Sequence, residues 1–372
     1  MMNRSNNVLG LIFSNTNEGC ISQLTNKRTM ASVPFGGKYR LIDFPLSNMS
    51  NAGINNVGIV ASSHYFSLMD HVGNGNAWDL SKRKSGLTIL PPFSGKSFDN
   101  VLETLDSLHG YIEHGSEQEV LICSTNFIAN IDYQKMYYQH TQTGADITFC
   151  YQYQDINNNK SYPMVAEIDD DKRIKKFQIN PPITGDCNLI SGSILIKKDL
   201  LMSIVKQCVS TNNIDYRKLF LNFDLEKYKV CGYEHKGFLK TICSMQDYYS
   251  ISMDLMNPDV RADLFNPERP IYTKVRDDRP SRYGFDCSVK GSLIAQGCII
   301  NGEVENCIIS KGVYIGQNTK VKNSIIMQDS VIGDNATINN VIIDKDCNIA
   351  EGEQLMGAPN YPVYIEKGSV IS

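Results

Sequence analysis

A repeat of 17 residues near the end of the chain limits the fold more than any other feature. Cys307-Ile308-Ile309, Ser324-Ile325-Ile326 and Val341-Ile342-Ile343 recur in one register, as do Ile315-Gly316, Ile332-Gly333 and Ile349-Ala350. Val321 and Ile338 share a phase of successive repeats. Aliphatics six apart, Ile315 to Val321 and Ile332 to Ile338, follow a hexapeptide rule. About three hexapeptides make one triangular coil with an inward aliphatic on each face. The spacing predicts a left-handed parallel β-helix over 287–372; an ordinary antiparallel β-domain is the alternative. The last histidine, His235, precedes the repeats, so the histidine-based acyl transfer that such helices often carry is not expected. Stacked coils with flat faces suit a structural or assembly role.

Residues 1–257 have a different texture. Val8–Phe13, Asn56–Val60, Glu119–Cys123 and Asp146–Cys150 are compact apolar runs suited to buried strands. Helical patterns over 46–54 and 101–114 precede the second and third. This alternation predicts an α/β, Rossmann-like, doubly wound and mostly parallel sheet, with ligands at the C-terminal ends of its strands. Between the two regions, 258–286 carries Pro258, Pro267, Pro270 and Pro280 among many charges and is expected to be a surface linker.

Bulk properties exclude several functions. The formal net charge of −4 offers no electrostatic footprint for nucleic acid or an anionic membrane. No apolar run is long enough to span a bilayer, and the N-terminal segment lacks a signal-peptide pattern. The 11 cysteines are scattered singly with no C-x-x-C pair, against a disulfide framework or zinc ribbon. A reduced, cytoplasmic setting is expected.

One long segment carries chemistry. In Val33-Pro34-Phe35-Gly36-Gly37-Lys38-Tyr39-Arg40-Leu41-Ile42-Asp43-Phe44-Pro45-Leu46-Ser47-Asn48, a Gly-Gly pair permits close backbone approach to a ligand. Lys38 and Arg40 can offer charge to phosphate. The run closely resembles the ADP-glucose pyrophosphorylases (glucose-1-phosphate adenylyltransferases), members of the nucleotidyltransferases. The likeness continues through Asn51–Ile54, His71–Gly75 with Trp78-Asp79-Leu80, Leu90-Pro91-Pro92, Asp132-Tyr133, Asp247-Tyr248-Tyr249 and the repeats. It implies a catalytic-type domain that joins ATP to glucose 1-phosphate with release of diphosphate, and a β-helix that builds a tetramer.

Such adenylyl transfer needs backbone N–H donors, cations and a carboxylate-held Mg²⁺. Against the family pattern, the glycine-rich loop after the first strand carries Asn15, Thr16, Glu18 and Cys20. A family lysine falls at Met30, the two metal carboxylates fall at Asn126 and Thr241, and the lysine of the sugar-phosphate motif falls at Asn180. The nucleotide- and sugar-associated stretch has no clean counterpart around 97–105. Losing one charge-stabilising group commonly costs about 10²–10³ in rate. No catalytic residue and no metal site is therefore assigned. Asp132 and Asp247 are the alternative carboxylates a weak enzyme would need.

Lys27, Arg28, Lys38 and Arg40 are the candidate effector or phosphate site, with solvated surface cations as the other reading. Trp78 is expected as a packing anchor, His71 as a hydrogen-bonded structural histidine and Cys20 as a buried inert thiol. Taken together, the resemblance is to the GlgD-type, non-catalytic subunits of this family in bacterial glycogen biosynthesis. It implies a hetero-oligomer, expected as a heterotetramer, with a catalytic homologue whose activity the chain modulates; a homo-oligomer is the alternative. No cofactor is expected for this chain alone, with Mg²⁺ and ATP at the partner's active site. A weakly active adenylyltransferase and a module sensing a sugar phosphate or nucleotide are the competing functions.

Overall fold

The computed structural model describes residues 7–372 except 16, 62, 83–84, 92–100, 156–162, 183–184, 211–223 and 276. The N-terminal region is built on a nine-stranded mixed sheet among the described residues. Its parallel centre runs Leu87–Leu90, Asn56–Val60, Val8–Phe13, Glu119–Ser124. Asp186–Lys197 then joins antiparallel to Glu119–Ser124 and carries Ile147–Asp155 and Met164–Ile168 beside it. The first strand is buried along its whole length, as its unbroken apolar run requires. Strand order reverses between Val8–Phe13 and Glu119–Ser124, and a crevice for ligands belongs outside that point.

Helices cover both faces of this sheet. Residues Asp43–Asn51 and Tyr133–Thr143 pack on one side around Met49, Trp78 and Met136; Val101–Ser107 and Lys198–Ser210 pack on the other around Leu105 and Val205. The helical pattern over 101–114 is realised as two helices, Val101–Ser107 and His109–His114.

The C-terminal region is a left-handed parallel β-helix of three sheets. Val304, Val321 and Ile338 stack in register on one face, Ile315, Ile332 and Ile349 on the second, and Ile309, Ile326 and Ile343 on the third, all pointing inward and buried. Its corners need a left-handed backbone. Asn306, Asn323 and Asn340 supply one, at φ 53°, 44° and 55°, which asparagine tolerates better than most residues. Asn306 also donates to the Asn323 side chain at 2.7 Å, and Asn323 in turn donates to Asn339 at 3.2 Å, which ties successive coils at this edge.

On one face of the β-helix the outward row is apolar as well. Ile308, Ile325 and Ile342 are buried against Phe35, Leu41, Tyr248 and Tyr249, and the two regions share one core. Gly37, at φ 82°, lies against this face: a Cβ there would stand 3.4 Å from the Ile309 carbonyl oxygen. That is ordinary contact, so it is the left-handed backbone at Gly37, which faces the β-helix, that calls for glycine there.

The segment 258–286 differs from a plain linker. Asn257 caps a helix over Pro258–Leu264 by accepting from the Asp259 N–H at 2.9 Å, with Pro258 in its first turn. Proline is tolerated there because its missing N–H would have no partner in any case. Leu264 and Ile271 enter the shared core, and Arg282–Tyr283 already pairs with Ile299–Ile300 as a strand of the β-helix.

Candidate functional site

The molecule offers two places for a site: the crevice at the strand ends, and a basic pocket between the two regions. In the crevice, the short antiparallel pairing of Leu239–Thr241 with Phe127–Ala129 sets Thr241 opposite Phe127, next to Asn126. The Ile242 N–H donates to the Asn126 carbonyl at 2.7 Å, and the Asn126 side chain accepts from Ser124 at 2.7 Å. The fold therefore places Asn126 and Thr241 at the ends of paired neighbouring strands, both with neutral side chains. Among the described residues no group of three or more His, Cys, Asp and Glu could hold a metal ion. This donor set does not fit a divalent cation.

Neither alternative carboxylate is free to fill the gap. Asp132 caps the helix Tyr133–Thr143 through the Lys135 N–H at 2.9 Å and pairs with Arg269 at 3.4 Å. Asp247 accepts from the Cys243 N–H at 3.2 Å, while Ser244 caps the helix Met245–Asp254 through the Asp247 N–H. Both carboxylates are thus engaged where helices start.

The loop after the first strand holds Asn15 and Glu18 in contact; Thr16 lies outside the described residues. The Asn15 side chain donates to Glu18 Oε1 at 2.6 Å, and the Met30 N–H donates to the same oxygen at 3.0 Å. Met30 itself is fully buried beside Ile21, Leu24 and Phe35. Cys20 corrects the expectation of a buried thiol. It is exposed, because the 3₁₀ turn Glu18–Ile21 turns Ile21 into the core and leaves Cys20 outside. Asn180 is also exposed, at φ 48° just beyond the strand Ile174–Ile179.

The four candidate cations separate into two pairs. Lys27 makes an exposed ion pair with Glu366 at 2.9 Å, and Arg28 is buried against Asp344. Lys38 and Arg40 line the pocket, a small hollow partly open to solvent. Across it stand Lys311, Gln328 and Lys345, one from each of three successive coils, and Lys274 and His71 contribute from the N-terminal side. Among the described residues no carboxylate lines it. Lys311 and Lys274 have carboxylate partners behind them, Asp278 at 3.0 Å and Asp70 at 3.2 Å.

Asp43 organises the floor of this pocket. It is fully buried; Oδ2 accepts from the Arg40 backbone N–H at 2.9 Å, and Oδ1 is 2.6 Å from His71 Nε2. Arg40 Nη1 donates to the Ser67 carbonyl at 2.6 Å. Trp78 is buried edge-on to His71 with ring centroids 5.8 Å apart. Burial holds His71 below the usual histidine range in spite of Asp43. Lys345 is pushed down to about 7, first by burial and then by the charges of Arg40 and Arg28. An electropositive hollow that disfavours its own charges is poised for an anion.

Lys38 and Arg40 stand out in the sequence as candidates, whereas Lys274, Lys311 and Lys345, which line the same pocket, do not. A signal was present: Lys311, Gln328 and Lys345 are themselves 17 apart, on the repeat that defines the coils.

A sheet with this switch point, joined to a hexapeptide β-helix, is the architecture of a nucleotidyltransferase with an appended helical prism. Residues 21–201 match the nucleotidyl transferase family model, and 275–359 match that of the GlmU-like C-terminal hexapeptide. The chain is 35 % identical over 98 % of its length to the glycogen biosynthesis protein GlgD of Bacillus subtilis, covering 97 % of that protein. It is 31 % identical to a glucose-1-phosphate adenylyltransferase of Halalkalibacterium halodurans, over 84 % of this chain and 83 % of the relative. With the GlgD of Geobacillus stearothermophilus, identity is 32 % over 84 % and 82 %. The chain belongs to the family of glucose-1-phosphate adenylyltransferases and GlgD proteins. Among the described residues, no helix is long and apolar enough to cross a membrane.

Proposed function

We propose that this chain is a GlgD-like subunit in bacterial glycogen biosynthesis, catalytically degenerate, that joins a catalytic homologue in a hetero-oligomer and alters its activity. The observation that carries the reading is the neutral pair Asn126 and Thr241: the ladder that sets Thr241 opposite Phe127, next in sequence to Asn126, is present, and neither residue offers the charge that adenylyl transfer would need there. Mg²⁺ and ATP then belong to the partner's active site. Modulation works through differential contact with the partner's active and inactive states, a coupling of about 1–3 kcal/mol.

The test is ADP-glucose formation from ATP, glucose 1-phosphate and Mg²⁺, by this chain alone and mixed with its catalytic homologue. Silence alone with a changed rate or effector response in the mixture supports the reading. Robust turnover alone overturns it.

The basic pocket favours a second role within the first: a receptor for a phosphorylated small molecule. Lys38, Arg40 and Lys345 would grip it from both regions at once, so its binding would reach the β-helix and any neighbour seated there.

A further inference from the structure

Glu18 lies in the loop that leaves the first strand, beside the point where the strand order reverses. In sheets of this kind that loop is where backbone donors meet a nucleotide's phosphates. Here a carboxylate of the chain itself stands in that loop and is held by two N–H groups, one on a side chain and one on the backbone beyond the loop. The Asn15 amide and the Met30 N–H converge on one Glu18 oxygen, at 2.6 and 3.0 Å.

The arrangement is fixed from both sides. Ser14 Oγ donates to Asn15 Oδ1 at 2.6 Å, which aims the Asn15 NH₂ at Glu18. Thr25 Oγ1 donates to the Glu18 carbonyl at 2.9 Å and holds its backbone. Two N–H groups converging on a carboxylate oxygen form a receptor for an anion. Burial raises the Glu18 carboxyl above its ordinary range, and these two bonds oppose that shift.

We propose that Glu18 is a resident substitute for a phosphate, filling the anion position of the crevice and excluding nucleotides from it. The inference rests on the reading that this crevice does not run adenylyl transfer, and it names a side chain that keeps the crevice closed. A triphosphate entering the loop would meet a negative charge in partly buried surroundings and find the Asn15 amide and the Met30 N–H engaged.

The experiment titrates ATP, with and without Mg²⁺, into the full-length chain and two variants by calorimetry, with thermal melts of each. Glu18→Ala removes the occupant; Glu18→Gln keeps its volume and an acceptor but removes the charge, and so protects the loop's fold. ATP affinity is expected to rise about tenfold or more in both variants over wild type. Variants that bind ATP no better than wild type overturn the proposal. If they do so while the wild-type chain still changes its homologue's rate on mixing, this inference alone fails. ADP-glucose formation by the wild-type chain alone overturns the reading beneath it.

Discussion

Arg28 Nη2 donates to both carboxylate oxygens of Asp344, at 2.9 and 2.8 Å, across 316 residues of sequence and with both side chains buried. Asp344 also accepts from the Tyr364 hydroxyl at 2.9 Å. A pair of this kind adds little against an apolar replacement, but removing one partner strands the other's charge. Arg28→Ala or Asp344→Ala should each cost about 3–5 kcal/mol in chemical denaturation. Arg28→Met combined with Asp344→Leu should cost clearly less than the sum of the two. A double variant as unstable as that sum would show that the pair acts through something other than charge.

Lys27 and Arg40 should behave oppositely toward a divalent anion. Lys27 is spent on an exposed pair with Glu366, worth about 1 kcal/mol at most, whereas Arg40 lines the pocket. In a sulfate titration, Arg40→Ala should lose most of the affinity and Lys27→Ala should stay within about twofold of wild type. Equal losses would place the anion elsewhere.

Sulfate binding should also depend on pH. A bound anion favours charged Lys345, whose amine is held at about 7 without one. Above that value binding must take up a proton, so affinity should fall as pH rises, by up to about tenfold per unit. Below it the dependence should flatten. Sulfate carries no titration of its own in this range, and Lys345→Met should abolish the slope. The sign for folding follows from the same shift. The unfolded lysine keeps its proton up to 10.5 while the folded one has lost it above about 7, so this group's contribution to stability rises with pH across that window.

Ile342 and Ile338 test the shared core. Both are fully buried, Ile338 inside the β-helix and Ile342 on the face docked against Phe35 and Tyr248. Either change to alanine should cost about 2–5 kcal/mol. Only Ile342→Ala should weaken sulfate binding as well, because it loosens the wall on which Lys345 stands. Identical effects on binding would mean the pocket does not depend on the docked face.

The β-helix was legible because its signal is arithmetic: each coil repeats one register, and aliphatics recur at the inward position of each face. The parallel centre of the sheet was legible for a related reason, since strands covered on both faces must be continuously apolar. What stayed hidden were choices made by distant partners. Nothing local distinguishes Arg28 from Lys27, and only Asp344 and Glu366, brought up by the β-helix, decide which is buried. Pro258 was misread because proline signals both a linker and the first turn of a helix; Asn257 just before it was the cue to the second. Cys20 depended on which side of a single turn faced the core.

The ladder of Lys311, Gln328 and Lys345 gives the coil count a meaning. Neighbouring coils lie about 4.8 Å apart, so a coil gained or lost between Gly37's docking point and Lys345 would carry that amine a full rung away from Arg40. Coils added beyond Lys345 would leave it in place. In this molecule the prism is a ruler that can grow at its far end and not in its middle.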